Sequence, residues 1–145
     1  MIDGDRQRCL GAVRIMAQGD QAEMRRRASL AQTVMEVLDR WGVPPAQQLE
    51  LLGLPAGTRP RTLIRYRNGE PFPDDETIMR RASGILGINH ALQNVYPHSS
   101  IAADHWVTSP NPRYNGSTPL SIMLSQGLPG MDRLVDQLSG TGDWG

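Results

Sequence analysis

The chain contains no lysine: all fifteen of its basic residues are arginine. Its formal net charge is zero at neutral pH, so it is not a simple polycation. A single cysteine, Cys9, excludes an internal disulfide and a cysteine-based zinc site. Aromatic residues make up only 5% of the 145 and hydrophobic residues 39%, so the core must be built from Leu, Val, Ile, Ala and Met. No apolar run approaches the length of a signal-peptide core or a membrane span. The expectation is a soluble cytoplasmic protein with no membrane partner. Hairpin signals, strand pairs and internal repeats are lacking as well, and with no strand there is no place for a Gly-rich phosphate loop.

Reactive groups are as scarce as lysine. His90, His98 and His105 are spaced by eight and seven residues, and no pair has the i, i+4 spacing that puts two imidazoles on one metal. Asp74, Asp75 and Glu76 are adjacent, and adjacent helical side chains point apart, so capping suits them better than acid–base work. Cys9 has no base beside it in sequence. No catalytic residue, metal site or cofactor is expected, and an enzyme has nothing to stand on.

Arginine is unevenly placed. Residues 1–81 hold thirteen arginines against eleven acids, and residues 82–145 hold two against four. Arginine suits bidentate phosphate and base contacts; a GC-rich genome yields the same bias.

Apolar spacing and breakers predict an all-α chain of roughly seven or eight short helices. Residues 1–27 read as a flexible arm or a loosely held helix. From Ala28, the residues Leu30, Val34, Val37, Leu38 and Trp41 fall on one helical face, which Gly42 ends. Pro44-Pro45 opens a second helix carrying Leu49, Leu51 and Leu52 up to Gly53. RTLIRYRNGE is a third, with Leu63, Ile64 and Tyr66 as its apolar residues. Asp74 and Asp75 cap a fourth with Ile78, Ala82, Ile85 and Leu86, which Gly87 is expected to end. A short helix over Asn89–Tyr96 follows and stops at Pro97. Ser99 or Ser100 caps the next, through Val107. Thr118-Pro119 starts LSIML, and Pro129 opens a last helix with Met131, Leu134, Val135 and Leu138. Three parts result: an arm at 1–27, a front bundle at 28–96 and a small helical domain at 97–145. The boundary falls near Pro97, and the two groups of helices are free to share one core.

PPAQQLELLGL…RPRTLIRYRNGEP places two short helices around a Gly-containing link, the second of them rich in arginine. That is what a helix-turn-helix requires, because the second helix offers long donors to bases and phosphates. The residues expected at DNA are Arg59, Arg61, Thr62, Arg65, Tyr66 and Arg67. No acid lies between Leu51 and Gly69. The alternative is an ordinary amphipathic helix with a solvated basic face.

Taken in order, the pieces from about residue 28 onward resemble the Xre/MbcA/ParS family of bacterial antitoxins. The front pattern is LDRWGVPPAQQLELLGL, TLIRYRNGEP and DDETIMRRASGILGINHALQNVYP. The back pattern is a Trp ahead of a PN dipeptide, a Gly, then S/T-x-L and a helix, here WVTSPNPRYNGSTPLSIML, followed by MDRLVDQLSGTGDWG. The resemblance implies an Xre-like helix-turn-helix bundle followed by a toxin-binding domain. It implies a partner toxin of the RES type, which consumes NAD or transfers ADP-ribose from it, with the antitoxin lying over the NAD entrance. Operator DNA and a second copy of the chain are the other implied partners. One feature departs from the pattern: the link Leu54–Pro60 is about three residues longer than the tight turn of ordinary Xre repressors. A stand-alone Xre-type regulator with a helical dimerisation domain is the alternative. The expected toxin contacts are Arg133, Gly140, Thr141, Asp143, Trp144 and Gly145. Trp144 either enters a cleft of the toxin or folds back on its own last helix.

Overall fold

Ala31, Val34, Met35, Val37, Leu38 and Trp41 are all buried, so the helical face expected from Leu30 onward does meet the core. The helix that carries them, α1 (Ile2–Arg40), is longer than that face. In this computed structural model the backbone is described for residues 2–140 and the side chains for residues 19–140. Residues 2–27, expected as an arm or a loosely held helix, form the first part of α1, which continues across residue 28 without a break. Among the residues whose side chains are described, residues 23–26 are exposed and Ala31 is the first buried position, near the expected place.

The next breaks follow local chemistry. Gly42 takes the left-handed conformation that turns the chain out of α1. Proline then supplies the first turn of α2 (Pro45–Leu52), which Gly53 ends at φ 71°. A nine-residue link, 53–61, leads to α3 (Thr62–Arg67). Asp75 caps α4 (Glu76–Val95), its Oδ1 accepting from the Ile78 amide at 3.1 Å.

α4 departs from expectation. It is one helix of 20 residues, and Gly87 does not end it. Gly84 and Gly87 instead face α7 (Leu128–Ser139). A Cβ at Gly84 would lie 3.0 Å from Met131 Sδ, and one at Gly87 would lie 3.5 Å from Val135 Cγ2. The glycines mark a close helix–helix approach, which overrides their weak helix propensity.

Ser99 caps α5 (Ser100–Thr108), accepting from the Ala102 amide at 3.1 Å. The proline-broken loop after it is tightly organised. Pro112–Tyr114 forms a 3-10 turn, the Asn111 side chain accepts from the Arg113 amide at 2.9 Å, and the Asn111 amide donates to Ser117 O at 3.0 Å. Thr118 then caps α6 (Pro119–Gln126). Gly127, at φ 63°, turns the chain from α6 directly into α7.

A single hydrophobic cluster runs from Ala31 through Ile85 and Leu92 to Leu134 and Leu138. α4 is its spine, meeting α1 and α2 on the front side and α5 and α7 on the back. The turn at Pro97 therefore divides the chain in sequence but not in its core. The protein is all-α, with no strand among the described residues. No helix among them is long and apolar enough to cross a membrane.

Candidate nucleic-acid interface

α3 is short, and its two faces differ sharply. Leu63 and Tyr66 point inward and are buried. Arg61, Ile64, Arg65 and Asn68 recur at i, i+3, i+4 and i+7, and all four are exposed. Arg59 is exposed on the link just before them, and Thr62 is half-buried in the first turn. Three of the expected DNA contacts, Arg59, Arg61 and Arg65, are thus free to reach a partner.

Two of the expected contacts are not. Tyr66 is only 5% exposed and packs edge-to-face on Phe72, with ring centroids 4.8 Å apart. Burial, reinforced by the Glu70 charge, pushes its hydroxyl above the ordinary tyrosine value. The phenol belongs to the buried hydrophobic cluster. Arg67 is likewise turned inward. Its Nε and Nη2 donate to the two Asp39 carboxylate oxygens at 2.9 Å each, and Nη2 also donates to Gln48 Oε1 at 3.0 Å. Gln48 is 1% exposed and donates to Asp39 Oδ1 at 2.9 Å and to Val43 O at 3.0 Å. The hydrogen bonds from Arg67 hold the Asp39 carboxyl below the usual carboxylate range, against the opposing effect of burial. Arg67 is therefore a clamp that fixes α3 to α1 and α2. Ile64, expected among the apolar residues of this helix, is 52% exposed.

Arg81 does a comparable job between the two parts of the chain. From α4, its Nη1 donates to Glu50 O at 3.3 Å, in the last turn of α2, where that oxygen also accepts the Gly53 amide at 3.1 Å. The same side chain lies against Gly53 and Gly127, where an added Cβ would come within 2.9 Å and 3.0 Å of it. No short-range pattern in the sequence announces either cluster, because Asp39, Gln48 and Arg67, or Glu50, Arg81 and Gly127, meet only in space.

The back part holds fewer of the expected contacts in view. Arg133 is exposed on α7, donating to Gln126 Oε1 at 3.0 Å. Its charge, with that of Arg113, partly offsets the burial that raises the Tyr114 hydroxyl. Gly140 ends α7 beside a groove of about 610 Å³ lined by Ala91, Asn94, Val95 and Leu138. Thr141, Asp143, Trp144 and Gly145 lie outside the described residues. His90, His98 and His105 are all exposed, and no metal-holding cluster occurs among the described residues.

With α2, α3 and the outward arginines in place, comparison with known proteins meets the geometry. Residues 20–77 match the family model described as the antitoxin Xre-like helix-turn-helix domain. The match takes in the packed part of α1, all of α2 and α3, and the start of α4. The chain is also similar to "Uncharacterized protein y4oB" of Sinorhizobium fredii (strain NBRC 101917 / NGR234), with 32% identity over 89 residues. That alignment covers 61% of this chain and 64% of the relative, just under two thirds of its length. Both α2 and α3 lie within the matched residues, and the outward stripe of α3 is exposed.

Proposed function

We propose that the chain is an antitoxin that binds and neutralises a cognate RES-type toxin by covering its NAD site, and that represses its own operon through operator DNA. The observation that carries this reading is the match of residues 20–77 to an antitoxin Xre-like helix-turn-helix domain. Three exposed arginines on and before α3 support the DNA half of it. The back pattern WVTSPNPRYNGSTPLSIML supports the toxin half, by resemblance. On this reading the front, 28–96, contacts DNA as a dimer or within the toxin complex, and the back, 97–145, contacts the toxin.

Trp144 is the proposed anchor in the toxin cleft. Buried aromatic anchors contribute about 2 kcal/mol or more to an interface, over tenfold in affinity. Asp143 would meet the basic groups that otherwise hold the NAD pyrophosphate, with Arg133 and Gly140 supporting the same contact. The antitoxin itself supplies no chemistry.

Co-expression with the product of the neighbouring reading frame, followed by pull-down and NAD turnover, tests this. The expected result is a stable complex in which NAD consumption stops. Deleting residues 140–145 should keep the helical fold but weaken neutralisation and abolish competition with NAD. Operator binding with no toxin capture would instead indicate a stand-alone regulator with a helical dimerisation domain. NAD consumption by the purified chain, abolished by a single substitution, would overturn the non-enzymatic role.

A further inference from the structure

Ile64 stands out on the outward face of α3. A solitary exposed isoleucine is ordinary on a protein surface. This one is 52% exposed at the middle of a stripe whose other members, Arg61, Arg65 and Asn68, are all hydrogen-bond donors. The inward positions Leu63, Tyr66 and Arg67 are taken by the core and by the clamp to Asp39, so α3 has one orientation and Ile64 cannot turn inward.

The surroundings select the partner. No acid lies between Leu51 and Gly69, while Arg59, Arg61 and Arg65 are exposed, so the charge around Ile64 fits a polyanion. A duplex offers the major groove, where the one apolar group presented by the base edges is the 5-methyl of thymine. Arginine pairs there with guanine and asparagine with adenine, which makes the stripe chemically consistent with base edges from end to end.

We propose that Ile64 is a specificity-determining residue that packs on the methyl group of one thymine in the bound DNA, beside a base pair read by Arg61 or Arg65. The proposal rests on the DNA-binding half of the function above. It names the element of sequence that this half prefers.

Thymine and deoxyuridine differ by that methyl group alone, so the test compares them. The full chain is used to select a preferred site from a randomised duplex pool. Each thymine of that site is then replaced singly by deoxyuridine, and affinities are measured by fluorescence anisotropy. The expected result is a loss of about fourfold at one thymine, the value of one buried methyl group. Ile64→Ala should bind the thymine and deoxyuridine forms of that position equally. Ile64→Val should keep part of the preference, and Arg61→Ala, though weaker overall, should keep it as well.

A selected site without thymine, indifference to every replacement, or an Ile64→Ala protein that still prefers the methyl would each overturn the proposal. In those three cases salt-dependent duplex binding persists, and the DNA-binding function stands. If the chain binds no duplex at all, that function falls together with the proposal. Loss of toxin capture in Ile64→Ala with no change at the thymine would place Ile64 in a protein interface instead.

Discussion

Arg61, Arg65 and Arg67 are the same residue type within seven positions of sequence, yet they have two different roles. Arg61 and Arg65 face outward, so replacing Arg61 with Ala should change stability by no more than about 0.5 kcal/mol. The effect of Arg65→Ala should fall on DNA, about 1–3 kcal/mol if it reads a base. Arg67→Met should do the opposite. It removes both bonds to Asp39 and leaves the buried Gln48 Oε1 without Arg67, a cost of about 1–3 kcal/mol in urea unfolding. The same cluster makes stability depend on acid. The Asp39 carboxyl titrates lower in the folded chain than in the unfolded one, so its contribution is full above the ordinary carboxylate range and is lost as pH falls through the folded value. Compared with Asp39→Asn, the wild type should hold a constant stability advantage near neutral pH. That advantage should shrink in acid. Because Asp39 is 45% exposed, solvent screening keeps the effect small.

Among the helices, two glycines carry opposite predictions. At Gly87 an added Cβ meets Val135 at 3.5 Å, ordinary contact, so Gly87→Ala should stabilise the chain by about 0.4–1 kcal/mol through helix propensity and unfolded-state entropy. At Gly130 the Cβ would lie 2.8 Å from both the Ile122 carbonyl oxygen and Gln126 Cβ. Backbone cannot move aside as a side chain can, so Gly130→Ala should destabilise by about 1–3 kcal/mol despite the same gain in propensity. Thermal unfolding of the two variants should move in opposite directions. Gly84 lies between these cases, at 3.0 Å from Met131 Sδ, and its sign depends on how far that thioether yields. Helix ends were readable where a proline, a cap or a left-handed glycine acts locally, as at Pro45, Asp75, Ser99 and Thr118. The expected stop at Gly87 misled because a glycine that admits a neighbouring helix has the same letter as one that ends a helix.

The described residues share one core, with α4 common to front and back. Leu134 is fully buried on α7, so Leu134→Ala should cost about 2–5 kcal/mol. The loss should be felt in α1 and α3 as much as in α7. Trp41 reports on the front and Trp106 on the back, and variants retaining only one of them should show coincident urea transitions. Two separate transitions would mean that the turn at Pro97 divides two independently folding units.

Composition and local pattern alone determined the all-α class, the core face of α1, most helix caps, the basic helix after a long link, and the resemblance to an Xre-like helix-turn-helix. Each depends on chemistry confined to a few neighbouring residues: apolar spacing, a side chain that accepts from an amide two or three positions on, a fixed proline φ. Tertiary structure decided which arginines are free. The face of a six-residue helix that turns inward is settled by what α1 and α2 place opposite it, Asp39 and Gln48, 28 and 19 residues away from Arg67 in sequence. It likewise put Tyr66 against Phe72 and left Ile64 outside, because a helix with apolar residues on two sides can bury only the side that faces the core.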